Sequence, residues 1–159
     1  FPLCESASKN LIKLYYNDVG LLTNLLYRNN IDAVLNKDSG VNLGSVYETA
    51  CAMELSAHGH DLYYFDSKKA GEVDFLINDY ENTSILPIEI KSGNDYQKHS
   101  ALNKVSAVEN WDFGRKIVFC KGNVMEKEGI EYYPWYLSMF YQQEKEPERF
   151  IYEVDLAGL

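Results

Sequence analysis

Two short stretches concentrate the residue types that hydrolytic chemistry uses: Gly71-Glu72-Val73-Asp74-Phe75 and Pro87-Ile88-Glu89-Ile90-Lys91-Ser92-Gly93. Both alternate like strands, in which side chains at i and i+2 lie on one face. Glu89 and Lys91 therefore share a face, while Ile88 and Ile90 turn to the other and feed a core. By the same rule Glu72 and Asp74 share a face, with Val73 and Phe75 opposite. Paired as a hairpin, the two strands bring Asp74, Glu89 and Lys91 to one edge of a sheet. Carboxylate oxygens grouped in this way suit Mg²⁺ or Mn²⁺, which keep waters and substrate phosphate in their shells. Such an ion neutralises a phosphodiester and acidifies bound water, and a nearby ammonium steadies the negative transition state. The Glu-x-Lys triplet fits equally an i, i+2 ion pair on a solvated sheet face.

The elements that must carry these residues are legible in outline. From Leu43 to Ala57 the pattern is helical, with Val46, Ala50, Met53 and Ala57 in one apolar stripe, Glu48 on the same helix and Gly59 as its stop. Strands are expected over Asp61–Phe65, Glu72–Ile77 and Ile85–Ile90, joined by turns short enough for antiparallel hairpins. A helix follows from about Tyr96 to Glu109. Arg115–Cys120 reads as a buried strand, Ile130–Tyr133 as another, and Pro134 opens a helix over Trp135–Tyr141. Ahead of this core, Lys13–Asn17 reads as a short strand and Asp18 as the cap of a helix running to Tyr27. Residues 28–42 form a loop with a short helix around Ile31–Leu35. The order helix, three strands, helix, strand predicts an α/β sandwich with a mixed central sheet. Residues 1–42 are expected to be a lead-in packed on a core of residues 43–141. Residues 142–159 form a charged tail with a final strand at Phe150–Val154, all within one domain.

Composition narrows the function. The chain has 159 residues, 46% of them hydrophobic, which supports one domain with a real core. Lys and Arg number 15 against 24 Asp and Glu, a net charge of −9. That balance argues against a nucleic-acid coat protein or a membrane-surface binder, while leaving room for a metal-bridged site. Cys4, Cys51 and Cys120 stand apart without metal-ligand spacing and read as reduced thiols of a cytoplasmic protein. No apolar run is long enough to span a membrane, and no signal peptide is visible. The start without Met reads as an excised fragment.

Other candidates carry less. His58 and His60 flank a helix end, where the dipole attracts them, and no third metal ligand lies at suitable spacing. Nothing resembles a phosphate-binding Gly-x-x-x-x-Gly-Lys-Ser/Thr loop, so no ATP site is expected. Lys68 and Lys69 on a hairpin turn, with Lys98 further on, are the basic residues offered to a phosphate backbone. Tyr132-Tyr133-Pro134-Trp135-Tyr136 reads as core or an interaction surface rather than a base-stacking platform.

The element order, with Asp on the second strand and Glu-x-Lys on the third, resembles the PD-(D/E)XK nuclease superfamily with its restriction-endonuclease-like fold. More narrowly, three stretches resemble the domain of unknown function that follows the ATPase module in many prokaryotic AAA ATPases. They are Lys13 to Leu22, Val46 to Leu55, and Gly71 to Phe75 with its Glu-x-Lys partner, and the resemblance covers about residues 11–140. It implies Asp74 and Glu89 as ligands of Mg²⁺ or Mn²⁺, Lys91 as the catalytic lysine and Glu48 as an additional acidic residue supporting the metal. It implies a DNA nuclease (a hydrolase) or, where catalysis is lost, a module for docking, oligomerisation or regulation. The partner it implies is the ATPase portion of the same polypeptide or of a homologue, with DNA as the substrate and no membrane.

Overall fold

The computed structural model describes residues 2–7, 11–28, 30–36, 41–105, 108 and 111–143. Asp18 caps helix α1 (Val19–Tyr27), its carboxylate accepting from the Leu21 amide at 2.8 Å. Asn30 caps the short α2 (Ile31–Leu35) in the same way. Helix α3 (Gly44–Ala57) ends at His58, and Gly59 follows at a φ of 89°, the left-handed conformation that glycine adopts without steric cost. Strands β1 (Tyr63–Ser67), β2 (Gly71–Asp79) and β3 (Ser84–Ile90) then form two successive antiparallel hairpins. Helix α4 (Ser100–Val105) crosses to β4 (Ile117–Cys120), which pairs parallel with β3. Strands β5 (Met125–Lys127) and β6 (Ile130–Pro134) complete a six-stranded mixed sheet in the order β1-β2-β3-β4-β6-β5.

The expected α/β architecture, with a mixed central sheet flanked by helices, is therefore the observed one. Its two faces bury separate cores, because successive strand residues point to opposite sides. One face packs Phe75, Ile77, Leu86, Ile88, Ile117 and Phe119 against Cys51, Ala52 and Leu55 of α3. The other packs Leu76, Ile85, Val118, Cys120 and Tyr132 against Leu102 and Val105 of α4, and Leu3 of the lead-in joins it. Each Ile or Leu removed from water in this way contributes about 1.5–3 kcal/mol.

Five local expectations are corrected. Residues 11–17 alternate like a strand, with Lys13 and Tyr15 half-buried and Leu14 and Tyr16 exposed, yet they join no ladder. The segment is instead attached through side chains. The stripe Val46, Ala50, Met53 and Ala57 is not the buried face of α3. That face is Thr49, Cys51, Ala52 and Leu55, and Ala57 is exposed. Helix α4 starts at Ser100, so Tyr96–His99 precede it, and Trp135–Phe140 is a 3₁₀ helix. Strand β5 lacked the length and apolar alternation that would have shown it in the sequence. The strand expected at Phe150–Val154 lies outside the described residues. Among the described residues, no helix is long and apolar enough to cross a membrane.

Candidate functional site

The fifth correction positions the site. Val73 and Phe75, two residues apart, were expected on one face, yet Val73 lies in the α4-side core and Phe75 in the α3-side core. The ladder steps from Tyr63↔Leu76 to Phe65↔Val73, two residues along β1 against three along β2. The extra residue is a β-bulge at Asp74–Phe75, a device that bends a strand and re-aims a side chain. Asp74 sits just beyond the last β2–β3 pair, Phe75↔Ile88. There its Oδ2 accepts the Ile90 amide at 2.7 Å, giving that strand-end donor a carboxylate partner.

The re-aimed carboxylate meets two others. Oxygens of Glu48, Glu72 and Asp74 all lie within 4.8 Å of one another. Glu48 reaches the group because its position on α3 falls between Cys51, Ala52 and Leu55 around the helix, on the face turned to the sheet. The Tyr15 hydroxyl donates to Glu48 Oε1 at 2.6 Å, and its ring tilts against Phe75. Lys13 pairs with Glu48 and, at 2.6 Å, with Glu72. Burial pulls the Lys13 pKa down, but its hydrogen bonds to Glu48 and Glu72 outweigh that and the net shift is upward. Tyr15 is pushed up by burial and by Glu48, so it stays a donor. Burial also drives Asp74 upward, with the like charges of Glu48 and Glu89 adding to it. The Ile90 amide and Lys13 oppose them, and the carboxyl settles at about 7.

Glu89 and Lys91 form an ion pair with each other, and neither Glu89 nor Lys91 belongs to the group around Asp74. Glu89 is only 5% exposed, and its Oε2 is buried without a hydrogen-bond partner among the described residues. Its charge is nonetheless felt at Asp74. The Lys91 backbone is fixed on both sides: its amide donates to the Phe119 carbonyl at 2.9 Å, and its carbonyl accepts from Trp135 Nε1 at 3.1 Å. Lys68 and Lys69 are exposed on the β1–β2 turn, close in sequence to Glu72, whereas Lys98 pairs with Asp95 at 3.0 Å. His60 is held below its ordinary pKa by burial, and its ring bonds the Tyr141 carbonyl at 3.3 Å, a structural contact. Burial raises the Cys51 thiol to about 12, which leaves it inert at neutral pH.

Oxygens bound to one hard cation at about 2.0–2.6 Å stand roughly 3–5 Å apart, so the spread of Glu48, Glu72 and Asp74 suits such an ion. Outside that group, Glu89 keeps one buried oxygen unsatisfied among the described residues. A cavity of about 480 Å³ adjoins the group, sharing Lys13 and Asp74 and walled by Tyr15, Tyr64, Phe75 and Trp111. Sequence reasoning missed Lys13, Tyr15 and Glu72 as site residues. The i, i+2 spacing of Lys13 and Tyr15 on one face of an extended segment was the available signal, as was Glu72 two residues before Asp74.

No curated protein and no solved structure matches the chain. A family profile described as "Domain of unknown function (DUF4143)" matches residues 43–138, more than half the chain and the whole stretch from α3 through most of the 3₁₀ helix. The chain belongs to the DUF4143 family.

Proposed function

We propose that this chain is a metal-dependent phosphodiesterase domain acting on DNA, of restriction-endonuclease-like type, working beside an AAA ATPase portion of the same polypeptide or a homologue. One observation carries the reading: a bulge turns the half-buried Asp74 toward Glu48 and Glu72, at the end of the strand pair that also bears Glu89 and Lys91. Glu48 and Asp74 are half-buried and Glu72 is exposed, and Lys13 supplies one positive charge among the three carboxylates, which leaves the group with an excess of negative charge that a divalent ion would offset. Asp74 is grouped with Glu48 and Glu72 as oxygen donors for Mg²⁺ or Mn²⁺, and Glu89, the second ligand that the resemblance implies, must leave its pair with Lys91 to join them. The ion, when bound, supplies charge neutralisation at the phosphodiester and a water of lowered pKa. Asp74, titrating near neutrality, is the carboxyl able to hold or release a proton there. Lys91 brings an ammonium to the phosphate, and Lys68 and Lys69 offer outer contacts to the backbone.

The test is cleavage of single- and double-stranded DNA with Mg²⁺ or Mn²⁺ by the wild-type chain and by Asp74→Asn. Loss of cleavage in the variant supports the reading, and equal rates overturn it.

A second reading, a non-catalytic docking module on the same fold, draws on the exposed apolar residues Leu14, Leu21, Leu25 and Leu26 in the lead-in and α1. Calorimetric titration separates the two, since the docking module predicts no heat of binding with millimolar Mg²⁺ or Mn²⁺.

A further inference from the structure

We infer that Lys13 is the positioning cation of the acidic group, holding Glu48 and Glu72 together until a divalent ion displaces it. The inference rests on the metal-site reading above and adds to it a competitor built into the chain. The Lys13 ammonium contacts Glu48 Oε1 and lies 2.6 Å from Glu72 Oε1. A hard cation shared by those two carboxylates would sit at a similar separation from both. The position is therefore already held by a positive charge, and two cations in it would repel strongly.

The segment that carries Lys13 is built so that it can leave. Residues 11–17 form no helix and join no ladder. Leu11, Ile12, Leu14 and Tyr16 are exposed, Leu11 and Ile12 at the rim of the cavity, and the inward contacts include those of Lys13 with its two carboxylates and the Tyr64 ring and of Tyr15 with Glu48 and Phe75. Withdrawal of Lys13 breaks no sheet pairing and uncovers oxygens of Glu48 and Glu72 beside the cavity it lines. Lys91 is not equivalent, because it is paired with Glu89 and anchored through its backbone.

Calorimetric titration with MnCl₂ of the wild-type chain, Lys13→Met and Lys13→Arg is the test. The expected result is Mn²⁺ binding about tenfold tighter in Lys13→Met, with Lys13→Arg staying near wild type because the competing charge is kept. A merely structural role would weaken binding in Lys13→Met, so equal or weaker affinity in a folded variant overturns the inference. Should Lys13→Met fail to fold, the wild-type chain supplies the measurement through its lysine ε-CH₂ NMR signals during Mg²⁺ titration. The Lys13 signal is expected to move toward that of a solvent lysine. A Lys13 signal that stays fixed while signals of α3 report Mg²⁺ binding overturns the inference. Absence of any Mn²⁺ or Mg²⁺ binding in every variant overturns the metal-site reading itself, and the exchange with it.

Discussion

The Ile90 amide donates to Asp74 Oδ2 at 2.7 Å, across the strand pair where the regular ladder has ended at Phe75↔Ile88. One side chain thus completes a hydrogen-bond pattern and fixes the direction of a carboxylate. That double duty explains how the fold tolerates Asp74 beside Glu48 and Glu72. The amide and Lys13 supply positive character from two directions, while burial and like charge work against the ionised form. The site is electrostatically strained in the absence of a further cation.

The strain has a pH signature. In the unfolded chain Asp74 titrates near 3.9, and in the folded chain near 7. Below about pH 4 both states are protonated and the site costs nothing. Between the two values the folded state keeps a proton that the unfolded state has released, so stability falls as pH rises. Above pH 7 the full penalty applies, about 4 kcal/mol. Asp74→Asn keeps an acceptor for Ile90 and removes the charge. Its melting temperature in chelator-treated buffer should exceed that of wild type by on the order of 10 °C at pH 8. The gap should close toward pH 4, and a gap independent of pH would refute the assignment.

Glu89 and Lys91 should behave as a buried pair whose partners depend on each other unequally. Lys91→Met leaves a 5%-exposed carboxylate without its counter-charge, a loss of about 3–5 kcal/mol. Adding Glu89→Leu removes the stranded charge and should restore most of that stability. Urea denaturation of the two single variants and the double variant measures the coupling, and additive effects would show that the pair does not act as one.

Sequence periodicity recovered the strands β2 and β3 and the two hairpins, because alternation and turn chemistry are local properties. It also placed Ile88 and Ile90 correctly on the core side, since β3 is regular there. It failed where one residue changes the count. With the extra residue in β2, Val73 and Phe75 part to opposite faces, and no local pattern announces a bulge. On α3 the stripe Val46, Ala50, Met53 and Ala57 lies opposite the buried Cys51, Ala52 and Leu55, and Glu48 falls among the latter. A carboxylate on the sheet-facing side disguised it as the polar face. Lys13 was missed as a site residue for a different reason: its spacing with Tyr15 marks a shared face, but its partners are 35 and 59 positions away along the chain.

The two faces of α3 are separable by mutation. Leu55 is fully buried, so Leu55→Ala should cost about 2–5 kcal/mol through lost burial and a residual cavity. Met53 is half-buried, and Met53→Ala should cost about 1 kcal/mol. Equal losses in denaturant titrations would mean that the helix is turned differently against the sheet.

The isolated chain should bind duplex DNA weakly even with a competent site. Affinity for a duplex comes largely from Lys and Arg neutralising phosphates, each contact releasing counterions. From Asp61 to Lys104 there are five basic residues and eight acidic ones, a balance of −3 in the region that carries Asp74 and Glu89. Of those five, Lys91 is paired with Glu89 and Lys98 with Asp95, so two of the five positive charges are already offset by carboxylates. One divalent ion brings the balance only to −1. At physiological salt the remaining carboxylates act over a screening length of about 8–10 Å, enough to oppose an approaching polyanion. The positive surface must come from a partner, which under the proposed function is the ATPase portion. Fluorescence anisotropy with a short labelled duplex at about 0.15 M salt is the measurement. Binding weaker than micromolar is expected, strengthened by Mg²⁺ or Mn²⁺. Sub-micromolar affinity without metal would show that charge does not limit this domain on DNA.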